Sequence, residues 1–310
     1  MKKILVISLF IFSCISLNAQ IFRPLDQMSD FDRSTHLAER FWYGFPFDDT
    51  TVLHTDEFIG HRDVFGSVDI FSGAIARYLQ LIQFADLPVI QRSLAETLRQ
   101  ADVNERMYRQ FVESFSFFLH DPMSPLRNEQ WIEPIWHQML QSQWATFADS
   151  ARIQHFLRLA DINRVGSVSA DLEFVTVQGQ RGRMHDIDTE LVLLYFYAPG
   201  CMNCRRIMEW IESDTTFQEL KRAGVLTAFA FYPDGNVGLF ESYAENIPST
   251  WINARDPDGM SQLPEDNLYQ MRGAPTIYLL DRENRVVLKD ARLDLLFREF
   301  DRARERFLSE

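Results

Sequence analysis

Cysteine is scarce in this sequence: three in 310 residues, at positions 14, 201 and 204. So few cannot build the disulfide framework of a small secreted scaffold, and whatever they do is local chemistry. Glycine (13) and proline (12) are also sparse, which excludes collagen-like and low-complexity chains. Basic residues are outnumbered, with 31 Lys and Arg against 44 Asp and Glu and a net charge of −13. Phosphate neutralisation needs clustered Lys and Arg, so this balance argues against a nucleic-acid or anionic-membrane binder. The leading apolar run, broken by Ser8, Ser13, Cys14 and Ser16, falls short of the roughly 20 residues of a membrane span. What is present is a hydrophobic fraction of 46%, enough to bury a real core, over a length that suits about two domains of roughly 150 residues.

Residues 1–19 read as a secretory signal: Lys2 and Lys3 form the basic start, Ile4 to Phe12 the apolar stretch, and Ala19 offers a small residue before a cut. The rival is a lipoprotein cut before Cys14, with Ile11-Phe12-Ser13-Cys14 as the lipobox, although bulky Phe12 suits such a box poorly. Export to the periplasm is the expectation, with membrane attachment only if Cys14 is lipidated. Removing residues 1–19 takes away Lys2, Lys3 and Cys14 but no acidic residue, so the net charge falls from −13 to −15 and two cysteines remain.

Residues 22–160 read as an all-helical domain, with apolar residues spaced by three and four. Examples are Phe71, Ile75, Tyr78, Leu79 and Ile82, then Met107, Phe111, Phe115 and Phe118, then Trp131, Ile135, Met139 and Leu140. Such stripes are core-facing, because a helix buries one face against its neighbours. Breaks fall at Asp86-Leu87-Pro88 and at residues 120–125. From Ile162 the pattern changes to alternating strands and helices. Leu172–Val177 and Arg183–Asp186 flank a Gly-containing turn, and Leu191–Tyr197 is a continuous apolar run, the mark of a strand buried on both faces. Helices are predicted over 202–212, 217–222, 239–245 and 293–308, with strands at 225–232, 276–280 and 285–288. The result is a mixed sheet flanked by helices, an α/β domain over residues 162–310.

Ala198-Pro199-Gly200-Cys201-Met202-Asn203-Cys204 sits where the buried strand ends and a helix begins, the position at which open α/β sheets carry their sites. Cys201 at a helix N-terminus has unpaired backbone N–H groups and the positive dipole end to stabilise a thiolate. Cys204 lies one turn on, so the pair can shuttle between dithiol and disulfide. A zinc site needs four ligands, yet no other mature cysteine exists and the last of the seven His is His185. A disulfide closing so short a loop gains little as a staple. Copper delivery by the two thiolates and His185 is a further alternative.

With these motifs in place, residues 162–310 resemble a thioredoxin-fold domain of the class of exported bacterial thiol-disulfide oxidoreductases similar to TlpA and ResA. The resemblance rests on Cys201-Met202-Asn203-Cys204 as the redox motif, Arg272-Gly273-Ala274-Pro275-Thr276 as the cis-proline loop, and the lead-in from Gly166 through Ala170–Phe174 to Gly182-Arg183. It implies that Cys201 and Cys204 form the redox-active disulfide and that Pro275 is cis and packs against it. It implies also that Gly273, Ala274 and Thr276 meet the substrate backbone. For Pro275 by itself, an ordinary proline at a strand start is the alternative. No cofactor and no metal are implied; the partners are protein thiol or disulfide substrates and an upstream electron donor. The sequence departs from the pattern in having Gly200 before the motif, Met202-Asn203 within it, and Tyr195 where thioredoxin has a buried acid.

The first half resembles an uncharacterised helical domain found ahead of thioredoxin-like domains in exported bacterial proteins, through Phe41-Trp42, Asp48-Asp49-Thr50 and Asp121–Glu129. The expected function is thiol-disulfide exchange, with reduction of partner disulfides as the direction. The competing classes are a scaffold whose helical half docks a partner, and a copper metallochaperone. Mass spectrometry of the exported protein is expected to find a mature N-terminus at Gln20; an acylated chain starting at Cys14 would contradict this.

Overall fold

The computed structural model describes residues 25, 28–54, 70–257 and 268–308. The signal sequence and Cys14 lie outside them. By contacts the chain divides into two compact units, one running through His120 with Gln130–Ala145, the other combining Asp121–Glu129 with Thr146–Glu310.

The first unit is helical: α1 (Asp30–Arg40), α2 (Ile70–Ile82), α3 (Leu87–Ala101), α4 (Glu105–Leu119) and most of α5 (Glu129–Gln141). Its starts follow local chemistry. Pro88 occupies the first turn of α3, where its missing N–H costs nothing, and Asn104 caps α4 by accepting from the N–H groups of Arg106 and Met107. The apolar stripes of α2 and α4 are buried, and Phe111 packs edge-on against Phe71 (4.8 Å) and Trp42 (5.2 Å). On α5 the buried positions are Ile132, Ile135, Trp136 and Met139, whereas Trp131 and Leu140 are half-buried. The helix is thus turned slightly from the face its sequence suggests.

The second unit opens with α6 (Phe147–Asp161), started by a reciprocal Thr146–Asp149 capping box. There follow β1 (Glu173–Thr176), β2 (Arg181–Arg183), β3 (Leu191–Phe196), α7 (Met202–Ser213), α8 (Thr215–Arg222), β4 (Leu226–Tyr232), α9 (Val237–Tyr243), β5 (Ile252–Arg255), β6 (Thr276–Asp281), β7 (Val286–Leu288) and α10 (Leu293–Phe307). The strands form one mixed sheet in the order β2-β1-β5-β4-β3-β6-β7. Central β3 is buried at all six positions. Leu191, Leu193 and Tyr195 enter one core with residues of α7, α8 and α10, while Val192, Leu194 and Phe196 enter another with Phe229, Phe231 and Tyr278. In the β1–β2 hairpin, a Cβ on Gly182 would stand 2.7 Å from the tip of the Phe174 ring, so any larger residue there would force the ring to shift.

A buried ion cluster lies within this unit. Lys289 is 3% exposed at its side chain and pairs with Glu129 at 2.7 Å, while its ammonium also donates to the carbonyls of Leu159 and Ala160 at the end of α6. Arg272 stands 3.7 Å from Glu129 and 3.5 Å from Asp290, and Arg127 donates to Asp290. Burial raises the Glu129 pKa and lowers that of Lys289, partly offset in each by the other's charge. Taking away one member of such a pair strands the other in low dielectric. Glu129→Met is therefore expected to lower unfolding free energy by about 3–5 kcal/mol, and Glu129→Met with Lys289→Met to recover most of the loss in denaturant titration. A double variant as unstable as the single would contradict the pairing.

Candidate functional site: a cysteine pair at a strand-helix junction

Strand β3 is fixed on both faces, so its end is positioned by the core, and the chain then has five residues, Tyr197 to Cys201, in which to turn into α7. Gly200 makes the turn possible with φ +79°, a left-handed conformation that side chains resist. Cys201 follows as the N-cap of α7. It is bonded to Cys204 in a disulfide with Cα atoms 5.3 Å apart. The Cys204 N–H donates to Cys201 Sγ at 3.1 Å, so the helix N-terminus satisfies one of its orphan donors on that sulfur. The two sulfurs have unequal access: Cys204 is 1% exposed, whereas Cys201 is half-buried.

Opposite lies the loop before β6. The Ala274–Pro275 peptide bond is cis, and the Ala274 carbonyl oxygen stands 3.6 Å from Cys201 Sγ. Gly273 and Ala274 are exposed, Pro275 is half-buried, and buried Thr276 donates from Oγ1 to the Gly273 carbonyl at 2.7 Å, closing the loop on itself. The structure thus brings Cys201, Cys204, Gly273, Ala274, Pro275 and Thr276 into one locality, with a half-exposed sulfur beside exposed backbone.

Tyr195, which stands in place of the pattern's buried acid, is itself buried and donates to the Cys204 carbonyl at 2.6 Å. Burial pushes its pKa well up, so it stays a protonated donor. Trp251 packs edge-on against it at 5.6 Å and donates to Glu212, which also accepts from Lys221 at 2.6 Å. Burial alone would raise the Glu212 pKa, but hydrogen bonds from Lys221, Trp251 and Gln218 hold it below the usual carboxylate range. His185 pairs with the Ser169 hydroxyl at 3.2 Å, and among the described residues no three of His, Cys, Asp and Glu gather as a metal-ligand set. The sequence pattern does not single out Arg206 and Trp210. On α7, Arg206 donates to Asn203 Oδ1 at 3.0 Å and its guanidinium lies 5.2 Å from the Trp210 ring centroid; their spacing of three and four along the helix is the signal that was available.

The fold has a solved counterpart. A thioredoxin-like protein from Bacteroides caccae matches with a TM-score of 0.77, covering 90% of this chain and 96% of its own, at 24% identity. The fold is thioredoxin-like. Residues 24–163 match the family model described as a domain of unknown function, DUF5106, so the thioredoxin-like unit follows an uncharacterised helical region. Partial matches include a conserved protein of unknown function from Bacteroides fragilis, at 34% identity over 44% of this chain and 98% of its own with a TM-score of 0.42. Another is the thioredoxin domain of a thiol-disulfide oxidoreductase from Bacteroides vulgatus, at 23% identity over 44% and 96% with a TM-score of 0.39. No curated protein matches the chain.

Because the Tyr195 hydroxyl holds backbone in this thioredoxin-like unit, Tyr195→Phe is expected to lower stability by about 1 kcal/mol and to leave the pH profile of Cys201 alkylation unchanged. A displaced alkylation profile would contradict that assignment.

Proposed function

We propose that the protein is an exported thiol-disulfide oxidoreductase that reduces disulfides of partner proteins, with Cys201 attacking and Cys204 resolving. The observation that carries this is the unequal exposure of the two bonded sulfurs beside the Ala274–Pro275 loop. A nucleophile must meet a macromolecular substrate, whereas a resolving thiol need meet only its neighbour.

In the reduced state the Cys201 thiolate is stabilised by the Cys204 N–H and the N-terminal end of α7. It attacks one sulfur of the substrate disulfide; the Cys201–substrate bond forms, the substrate S–S bond breaks, and the first substrate thiolate leaves and takes a proton. Cys204, as thiolate, then attacks Cys201 Sγ, forming the Cys201–Cys204 bond and releasing the second substrate thiol. Two electrons and two protons pass to the substrate. A dithiol donor upstream restores the pair. In this account Gly273, Ala274 and Thr276 hold the substrate backbone in extended form against the loop, and Pro275 shields the disulfide. The helical residues up to His120, with Gln130–Ala145, form a unit of their own, and no step of the exchange is assigned to them. Export rests on residues 1–19; among the described residues no helix is long and apolar enough to cross a membrane.

Cys204→Ser removes the resolving step and leaves the attacking one. The variant is expected to accumulate covalent adducts in vivo that a thiol reductant releases and that vanish when Cys201→Ser is added. Absence of any adduct through Cys201 would contradict the proposal.

A further inference from the structure

The exposed face of α7 carries Met202, Arg205, Arg206, Glu209 and Trp210, starting at the residue after Cys201. Met202 is 81% exposed and Trp210 49%. Two arginines on one exposed face stand out in a chain of net charge −13. Many arginines elsewhere in this unit are spoken for: Arg164, Arg183, Arg282, Arg292 and Arg302 each face a carboxylate. Among the described residues Arg206 has no carboxylate partner. It is nonetheless held in place, by the hydrogen bond to Asn203 within the cysteine motif and by the face of Trp210.

A guanidinium presents five donors in a planar fork that matches a carboxylate. Fixing that fork in advance removes much of the ordering cost that makes surface ion pairs weak. Arg205 adds like charge beside it, and Glu209 is the one acid on this face of α7. We infer that Arg206 reads the substrate: it receives a carboxylate of an acidic partner segment whose cysteine is engaged by Cys201, with Met202 and Trp210 giving apolar contact on either side. This rests on the oxidoreductase proposal and names the class of its substrate, a disulfide flanked by Asp or Glu. It also accounts for Asn203 in the motif, as the acceptor that orients Arg206.

The test uses the pre-reduced full chain in single turnover with two synthetic peptides, each bearing one internal disulfide. They are alike except that Glu flanks a cysteine in one and Gln in the other. The Glu peptide is expected to be reduced about three- to tenfold faster at low salt, with the ratio falling towards one at 1 M salt and in Arg206→Gln. Equal rates in the unsubstituted protein, or a ratio that survives Arg206→Gln, would overturn the inference. Reduction of neither peptide also overturns it, and a parallel exchange with glutathione then separates the two levels. A pair that cycles with glutathione leaves the redox proposal standing, whereas a pair that does not cycle takes both down.

Discussion

The pairing of β3 with β6 decides where everything else at the site falls. The two strands run antiparallel with Phe196 opposite Thr276, so the end of one meets the beginning of the other at the same edge of the sheet. Five residues past Phe196 lies Cys201, and one residue before Thr276 lies Pro275. The 3.6 Å approach of Cys201 Sγ to the Ala274 carbonyl is a consequence of that register. A slip of one residue would send Leu191, Leu193 and Tyr195 to the opposite core, and burial on both faces makes that slip prohibitive.

The same register shapes the surroundings of the cysteines. Tyr195 and Phe196 point to opposite sides of the sheet, which puts the Tyr195 hydroxyl under α7, where it anchors the Cys204 carbonyl. The apolar packing of Tyr195, Trp251 and Phe217 keeps Cys204 dry, while the turn at Gly200 leaves Cys201 at the surface. Burial thus gives two identical side chains unequal access to solvent. The Glu129, Lys289, Arg272 and Asp290 cluster joins the Gly273–Thr276 loop through Arg272, the residue before Gly273 in the chain. It ties residue 129 and the end of α6 to the same unit as the cysteines.

Much of this was legible in the sequence wherever the governing interaction is local or where burial is complete. Leu191–Tyr197 announced itself because a strand buried on both faces is continuously apolar, and Cys201–Cys204 because a cysteine pair one turn apart is rare in a cysteine-poor chain. Strand β5 was not legible: Ile252–Arg255 is four residues long, half-buried, and carries Asn253 and Arg255, so neither alternation nor a run marks it. The contacts that group α6 and Asp121–Glu129 with the C-terminal unit involve residues such as Glu129 and Lys289, 160 positions apart, which no local pattern encodes. The site shows the same division. The order of Cys201, Cys204 and Gly273-Ala274-Pro275-Thr276 suggested one locality through resemblance, but their proximity depends on the β3–β6 register, and the held guanidinium of Arg206 depends on which face of α7 is exposed.

The central claim is that Cys201 and Cys204 are a working redox pair, and the most direct measurement is the equilibrium titration of the full chain against glutathione redox buffers, read by thiol alkylation and mass. A reversible two-electron transition, about 29.6 mV per tenfold change in equilibrium constant, confined to these two cysteines, is the expected result. A disulfide that stays oxidised throughout the accessible range, or thiols that do not re-form the bond, would contradict it.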